Sequence, residues 1–379
     1  MTDTEYRQSI DILIYLCSCT LNKTGIDKDR LANINLDHLY QSAGKHMLSS
    51  MTGQILRSAG ITSSDFAKAI ALSERKTIIL DDEYKKITSE FESSQIWYMP
   101  LKGHILKEYY PGFAMREMSD VDILYDSSHA EDSKKIMENL GYEVKSFGDK
   151  NDDDYIKKPV SNFELHRYLF KKVEQKRFYE YYKDAKDRLL VKDDDNLYGY
   201  HFKPEDFYIY MIAHEHKHFN YSGTGLRSLL DTYLFLKNNK LDMDYVSQET
   251  DKLGISDFEQ KNRALATDLF NGAELSNEEQ AVLEYIISSG TFGTFDNKVG
   301  NEVKKTGGKG NYILRRLFGP ISKKDPYNVY FRKRYSTFYK YPVLLPFLPI
   351  YRVFDSIKNR PENIKKEIKA INKSSTNKK

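Results

Sequence analysis

Two aspartates stand two positions apart in an otherwise apolar stretch, Ser119-Asp-Val-Asp-Ile-Leu-Tyr-Asp126. Side chains of a β-strand alternate between its faces, so Asp120 and Asp122 are predicted to project to one side while apolar neighbours fill a core on the other. Because a strand rises ~3.3 Å per residue, the two carboxylates would lie roughly 7 Å apart along the backbone. A divalent cation fits between side chains placed in this way.

A third carboxylate also lies in a segment in which apolar and polar residues alternate. In Phe163-Glu-Leu-His-Arg-Tyr-Leu-Phe170, Glu164 and His166 share one face of a half-buried strand. If the two strands are neighbours, Glu164 joins the aspartates. Crowded carboxylates raise one another's pKa unless cations neutralise them, and oxygen ligands favour Mg²⁺ or Mn²⁺. Two such ions stabilise an in-line displacement at phosphorus.

Residues suited to hold phosphate precede the aspartates. Lys102 and Gly103 stand where an apolar run gives way to a short helix, and glycine there permits a close backbone approach. Arg116 stands four residues before Asp120 and is predicted to bind phosphate oxygens bidentately. His166 is predicted to contact the nucleotide from the carboxylate side.

The elements that would position these residues alternate between strands and helices. Strands are predicted at residues 95–103, 119–126, 142–146 and 163–170, with helices at 104–110 and 129–140 and a Lys/Asp loop at 151–158. The residues on either side have helical spacing. The predicted fold class is therefore α+β, a mixed β-sheet with flanking helices between helical N- and C-terminal regions. The predicted division is an N-terminal helical region (1–75), a catalytic domain (76–198), a helical domain closing the cleft (199–322) and a basic C-terminal helical segment and tail (323–379).

Several segments together resemble a known family. They are LKGHILKEYYPGFAMREMSDVDILYD, LGYEV and FELH, followed by PEDFYIYMIAHEHKHF, GLRSLLDTYLFL and the stretch at residues 341–352. This combination resembles the uncharacterised bacterial nucleotidyltransferases of the polymerase-beta-like superfamily. The resemblance implies a nucleotidyltransferase-type mixed sheet, two-metal chemistry, and metal ligation by Asp120, Asp122 and Glu164. His104 follows Gly103 where the wider superfamily has a second glycine or a serine, and Lys102 is hypothesised to supply the missing grip on the triphosphate.

The segment His214-Glu-His-Lys-His218 permits three interpretations. It matches the His-Glu-x-x-His pattern of zinc hydrolases, in which Glu215 would be the general base and Asp231 or Glu249 a third ligand. It also suits histidines that only pack beside the sheet. The favoured interpretation is that this helix closes the site and offers His214, His218 and Arg227 to the triphosphate or acceptor.

Composition places the protein among globular chains. It has 379 residues, 40% hydrophobic and 30% charged, without a run of the ~20 apolar residues that span a bilayer. The two cysteines, Cys17 and Cys19, are poorly placed to bridge each other, so a cytoplasmic location is expected. Residues 323–379 contain 15 Lys or Arg against 4 Asp or Glu, which suggests an anionic partner or a solvated basic tail.

The sequence thus predicts a metal-dependent nucleotidyltransferase. It would move a nucleoside monophosphate from a nucleoside triphosphate to a hydroxyl acceptor and release pyrophosphate. The acceptor is a sugar, a metabolite, an RNA end or a protein side chain. The alternatives are the zinc metallohydrolase and a degenerate transferase fold that acts only as a binding module.

Overall fold

A computed structural model of the chain describes residues 1–148, 150–319 and 328–373. The chain divides into two compact units. Unit 1 comprises Met1–His216 and Gly225–Thr291, and unit 2 comprises Lys217–Thr224 and Phe292–Lys379. No helix in the described ranges is both long enough and apolar enough to cross a bilayer.

Unit 1 begins with helices. The first is started by a capping box, because the Thr2 hydroxyl accepts a hydrogen bond from the Glu5 amide and the Glu5 carboxylate accepts one from the Thr2 amide. This helix ends at Asn22, and the next residue, Lys23, has a left-handed backbone conformation. The helices of this region are α1 (Asp3–Asn22), α2 (Leu36–Lys45), α3 (Ser49–Ser58) and α4 (Ser64–Ser93).

A five-stranded mixed sheet follows. Its strands are arranged in the order β1-β2-β5-β4-β3, and β2 and β5 pair in parallel while the other neighbours are antiparallel. The elements are β1 (Tyr98–Pro100), α5 (Gly103–Leu106), β2 (Val121–Tyr125), α6 (Ala130–Asn139), β3 (Glu143–Ser146), β4 (Asp152–Lys157) and β5 (Ser161–His166).

The prediction of a loop at residues 151–158 is wrong, because β4 occupies most of this segment. Three consecutive aspartates disfavour a strand by intrinsic propensity. Tertiary pairing overrides that preference here, since β4 lies between β3 and β5 and hydrogen-bonds to both. The buried Asp153 also gains compensation, as it accepts hydrogen bonds from Tyr125 and Arg167.

The alternation of β2 and β5 separates two layers. Val121 and Ile123 of β2, with Phe163 and Leu165 of β5, pack against buried side chains of α4 and α6. On the opposite face Leu124 joins a second apolar cluster that includes buried side chains from residues 207–213 and 235. Asp122 and Glu164 belong to this second face, where the apolar cover is incomplete.

The rest of unit 1 is a small hairpin and a helical part that covers the second face. It contains α7 (Lys176–Tyr182), α8 (Ala185–Arg188), β6 (Leu190–Lys192), β7 (Tyr200–Phe202), α9 (Pro204–Phe219), α10 (Leu226–Asn238), α11 (Met243–Leu253), α12 (Ser256–Asn271) and α13 (Asn277–Ser289). Residues 217–219 of α9 are assigned to unit 2.

The regular elements among the described residues of unit 2 are all helical. Val299, Val303 and Ala370 form its small buried cluster. Its helices are α14 (Phe295–Lys305), α15 (Lys309–Phe318), α16 (Asn328–Arg334), α17 (Ser336–Lys340), α18 (Leu348–Asn359) and α19 (Pro361–Lys373), with a 3-10 segment at Pro342–Phe347.

The predicted fold class is confirmed: a mixed sheet with flanking helices is preceded and followed by helical regions. The four-part division of the chain stays a prediction. Helix α4 runs through residue 75 as a single element of 30 residues.

Candidate active site

The parallel pairing of β2 and β5 brings two of the predicted carboxylates together. Asp122 lies directly opposite Glu164, and Leu124 lies opposite His166. Paired residues share a face, so Asp122, Glu164 and His166 all project to the side that α9 covers. One ligand atom from each of these three residues lies within 4.8 Å of the others.

Asp122 is the most buried of the three predicted metal-binding carboxylates, which are Asp120, Asp122 and Glu164. It is 7% exposed, and its Oδ1 lies 3.0 Å from Lys102 Nζ and 2.7 Å from His166 Nε2. Burial favours the neutral acid, but the positive charge of Lys102 and the His166 contact outweigh it and hold the pKa of Asp122 well below its ordinary value. Asp122 is therefore ionised throughout the physiological range.

Glu164 has the opposite electrostatic environment. Burial, followed by the negative charges of Asp122 and Asp120, raises the pKa of Glu164 to about 8. Burial and the charge of Asp122 also raise the pKa of Asp120, whose carboxylate accepts a hydrogen bond from Ser119. Mutual repulsion of this kind is relieved by cations among the carboxylates.

Lys102 is positioned by an unusual backbone conformation. It has φ 42° and ψ −111°, directly before the single-turn helix α5. The Leu101 amide donates to the Asp122 carbonyl oxygen at 3.0 Å, which fixes this turn to the edge of β2. Burial opposes the ammonium charge, but Asp122 outweighs it and raises the pKa of Lys102. Lys102 thus places an ammonium group against the Asp122 carboxylate.

Gly103 lies in close contact with the side chains of Arg116 and Met118. A Cβ atom at this position would lie 2.6 Å from Arg116 Nη1 and 3.0 Å from the Met118 methyl carbon. Contacts this short force a neighbour to move. The glycine therefore lets the turn pack onto Arg116, and its predicted close approach to phosphate stays a prediction.

Arg116 is committed to an ion pair inside the protein. Its Nε and Nη2 donate to the two carboxylate oxygens of Asp231 at 2.9 and 2.8 Å, and Tyr110 donates to the same aspartate at 2.8 Å. Arg116 is only 7% exposed. The bidentate contact that the sequence predicted is thus made to Asp231 of α10, and the phosphate contact of Arg116 stays a prediction.

Arg227 lies in the same neighbourhood. Its Nη1 donates to the Glu117 carbonyl oxygen at 2.8 Å. Burial and the positive charge of Arg116 lower the pKa of Arg227, while the charge of Asp120 acts in the opposite direction. The structure thus places both arginines within the electrostatic reach of Asp120.

Helix α9 passes over the carboxylate face. The environment of Tyr210 includes the charges of Lys102, Asp122 and Glu164, and burial raises the pKa of its hydroxyl. His214 lies one turn further along the helix, and the centroids of the His214 and Tyr210 rings are 6.2 Å apart. Tyr210 was missed by the sequence reasoning, because a tyrosine within an apolar helix does not differ in pattern from a core residue.

A second acidic group adjoins the first. Asp152 and Asp154 of β4 each have a carboxylate oxygen within 4.8 Å of one of Glu164, and Asp154 accepts hydrogen bonds from Ser146 and Lys150. The sequence reasoning missed both aspartates because it treated their segment as a loop. Their spacing of two residues matches that of Asp120 and Asp122 and was the available signal.

The donor set fits a hard divalent cation. Asp122 and Glu164 offer carboxylate oxygens, and His166 offers a nitrogen beside them. The other ring nitrogen of His166, Nδ1, is buried and has no hydrogen-bond partner among the described residues. Once Glu164 is deprotonated, Asp122 and Glu164 carry two negative charges, whereas Lys102 supplies one positive charge.

The zinc-hydrolase interpretation of α9 has less geometric support. Glu215 is buried, receives a hydrogen bond from Asn262, and has a pKa that burial raises to about 7. The third-ligand candidates have other partners, Arg116 for Asp231, and Tyr181 and Lys252 for Glu249. Within the described ranges, the potential metal-ligand groups are the two acidic ones above, and neither includes a histidine of α9.

A mixed sheet carrying clustered carboxylates on the face beneath α9 is consistent with the nucleotidyltransferase class. The family model described as "Uncharacterised nucleotidyltransferase" matches residues 32–271, and the chain belongs to this family. The match covers the sheet, the carboxylate face and helices α9 and α10. No curated protein and no solved structure matches the chain.

Proposed function

We propose that the protein transfers a nucleoside monophosphate from a nucleoside triphosphate to a hydroxyl group and releases pyrophosphate, the reaction of enzyme class EC 2.7.7. Asp120, Asp122 and Glu164 are the proposed ligands of Mg²⁺ or Mn²⁺. The observation that carries the proposal is the direct pairing of Asp122 with Glu164 across parallel strands, with Asp120 raising the pKa of the same glutamate.

The reaction forms one bond to phosphorus and breaks another. The acceptor oxygen attacks the α-phosphorus, the bond from that phosphorus to the oxygen bridging to the β-phosphate breaks, and pyrophosphate leaves. Bound divalent metal stabilises negative charge on the attacking and leaving oxygens. The hydroxyl proton needs an acceptor, and Glu164 is proposed for this role because its carboxylate lies beside that of Asp122 in the acidic group.

A further set of residues is proposed to hold the nucleotide. Lys102 is proposed to bind a phosphate oxygen when metal replaces it at Asp122, and its ion pair with that aspartate supports this proposal. The contacts of His166, His214, His218 and Arg227 with nucleotide or acceptor remain predictions. ATP is the proposed first nucleotide to test, and the acceptor classes are a sugar, a metabolite, an RNA end or a protein side chain.

A cytoplasmic location is part of the proposal. Cys17 and Cys19 are both buried free thiols. Burial raises the pKa of the Cys17 thiol to about 12, which keeps it protonated and unreactive. Such thiols suit a reducing compartment.

Labelled nucleotides test the proposal. The full-length protein is incubated with Mg²⁺, cell extract and ATP that carries the label at either the α- or the γ-phosphate. The expected result is a macromolecular or small-molecule product labelled from the α position only, with release of pyrophosphate. Asp122→Asn is expected to abolish labelling, whereas Asp132→Asn, a change at an exposed aspartate of α6, is expected to retain it.

Other outcomes point to other functions. Label transferred from the γ position would show a kinase-type reaction and overturn the proposal. Nucleotide binding without transfer, across extracts and all four nucleotides, would favour the degenerate binding module. Peptide cleavage that requires zinc and Glu215 but not Asp120 would favour the hydrolase.

A further inference from the structure

Helix α18 has two faces with different environments. Tyr351 packs its ring on those of Tyr335 and Phe338, and Arg352 donates to the carbonyl oxygens of Arg316 and Leu317 at 3.0 and 3.1 Å. Asp355 accepts from Tyr335 at 3.4 Å. These contacts hold one side of α18 against α15, α16 and α17.

The other face of α18 is apolar and exposed. Ile350, Phe354 and Ile357 follow the i, i+4, i+7 spacing of a single helical stripe, and they are 58%, 66% and 54% exposed. The preceding segment continues this character, since Val343 is 80% and Phe347 60% exposed. Large apolar side chains grouped this way mark an interaction surface. We call these five residues the apolar stripe.

The surroundings of the apolar stripe are strongly basic. Residues 328–373 contain 11 Lys or Arg against 3 Asp or Glu, a net charge of +8, whereas the whole chain carries +3, so the remaining residues carry −5. Lys340 lies before the stripe, and Lys358 and Arg360 lie at its end, all three exposed. Apolar side chains with flanking cations match a surface that offers acyl chains beneath anionic headgroups.

We propose that the apolar stripe docks unit 2 onto an anionic phospholipid bilayer. Helix α18 would lie in the plane of the interface, with Ile350, Phe354 and Ile357 in the acyl boundary and the basic side chains among the headgroups. This inference concerns where the protein acts and does not depend on the proposed reaction.

Charge and side-chain chemistry favour lipid over two other occupants. A second copy of this surface would bring one +8 region against another, and like charges repel. Single-stranded nucleic acid stacks its bases on aromatic rings, but Val343, Ile350 and Ile357 are aliphatic and have no such face. A lipid interface uses both the aliphatic residues and the positive charge.

Vesicle co-sedimentation tests the proposal. The full-length protein is mixed with phosphatidylcholine vesicles, either pure or containing about one-third phosphatidylglycerol, an anionic lipid. We expect binding to the anionic vesicles, at least roughly tenfold weaker binding to the neutral ones, and weakening as ionic strength rises from about 0.1 to about 1 M.

Substitutions in the stripe identify the surface. Ile350→Asp with Phe354→Asp is expected to reduce binding at least roughly tenfold, because the stripe then meets headgroups with negative charge. The matched control is Leu72→Asp with Ile78→Asp on α4 of unit 1, where the side chains are 66% and 59% exposed. The control is expected to bind as the unsubstituted protein does, and far-ultraviolet circular dichroism checks that both variants are folded.

A second measurement tests the proposal even if the double variant does not fold. The chain has one tryptophan, Trp97, so Phe354→Trp adds a single fluorophore to the stripe. Its emission is expected to shift to shorter wavelength with anionic vesicles and to stay unchanged with neutral ones. Equal binding of the stripe variant and the control overturns the proposal. The proposal is also overturned if the unsubstituted protein forms a dimer and the stripe variant is a monomer. Binding to single-stranded RNA without binding to vesicles overturns it as well.

Discussion

Lys102 Nζ lies 3.0 Å from Asp122 Oδ1, at the point where β2 lies beside β5. The lysine belongs to the turn before α5, and its side chain reaches across to a strand that starts about twenty residues later. In the absence of a divalent ion, this ammonium compensates the charge of the Asp122 carboxylate. Its removal therefore affects the metal-free protein and the nucleotide-bound protein in different ways.

Lys102→Ala should weaken nucleotide binding and destabilise the metal-free protein. Asp122 would lose a buried charge partner, which costs about 2–3 kcal/mol of unfolding free energy, less than the loss of a fully enclosed partner because Lys102 is partly exposed. Added Mn²⁺ should restore most of that stability. Lys135→Ala, at an exposed lysine of α6, is the control. Thermal unfolding and nucleotide titration measure both effects, and unchanged nucleotide affinity would count against a role for Lys102.

Asp122→Asn should reduce nucleotidyl transfer by roughly a thousandfold, equivalent to about 4 kcal/mol of transition-state stabilisation. The asparagine amide offers the metal one neutral oxygen, whereas the aspartate carboxylate offers a negative charge. The rate of α-label transfer at saturating nucleotide measures the loss. Transfer that persists within a few-fold of the original rate would remove Asp122 from the chemistry.

Divalent metal should raise the melting temperature through Glu164. A ligand that binds only the folded state stabilises it by about 2.7 kcal/mol at a hundredfold excess over the dissociation constant. Glu164→Gln should abolish most of this gain, while Glu108→Gln, at an exposed glutamate, should retain it. Differential scanning calorimetry with and without Mn²⁺ makes the comparison, and an equal gain in both variants would place the metal elsewhere.

Metal binding should release a proton from Glu164. Burial and the neighbouring carboxylates raise the pKa of Glu164 to about 8 from an ordinary value of 4.5. The folded metal-free protein therefore keeps this proton up to pH of about 8, so its stability falls as the pH rises from about 4.5 to about 8. Metal affinity should rise over the same interval. Calorimetric titration in buffers of different ionisation enthalpy counts the protons released, and Glu164→Gln should release fewer.

Arg116→Ala should destabilise the protein by about 3–5 kcal/mol, because Asp231 would remain buried without its partner. Arg116→Met combined with Asp231→Leu should recover much of that loss. Arg7→Ala, in an exposed ion pair with Glu284, should change the unfolding free energy by less than about 1 kcal/mol. If the recovered double variant still binds nucleotide normally, Arg116 is a structural residue; a specific loss of nucleotide affinity would support the predicted phosphate contact.

The sequence predicted the fold well where hydrophobic alternation was strong. In β2 and β5 the alternation of apolar and polar residues located both strands and the shared face of Asp122 and Glu164, whereas Asp120 lies just before β2. Alternation is a local signal, and it is strong because one face of each strand is buried. The fold class followed from the order of these elements.

The parts that the sequence did not predict depend on long-range partners. Strand β4 has three aspartates, and it is a strand because β3 and β5 pair with it on both sides. Arg116 has the side chain of a phosphate-binding residue, but Asp231, which lies 115 positions away in the chain, binds its guanidinium group. Neither fact is encoded within a window around the residue itself.

The packing of Phe163 and Leu165 against α4 and α6 also determines the alignment of the reactive groups. A slip of one residue between β2 and β5 would turn Glu164 into the apolar layer and bring Leu165 to the face of Asp122. Burial of the apolar face of β5 therefore fixes the register that places Glu164 opposite Asp122. The proposed activity should therefore also be sensitive to substitutions in the apolar layer, which leave every carboxylate in place but can change the alignment of the two strands.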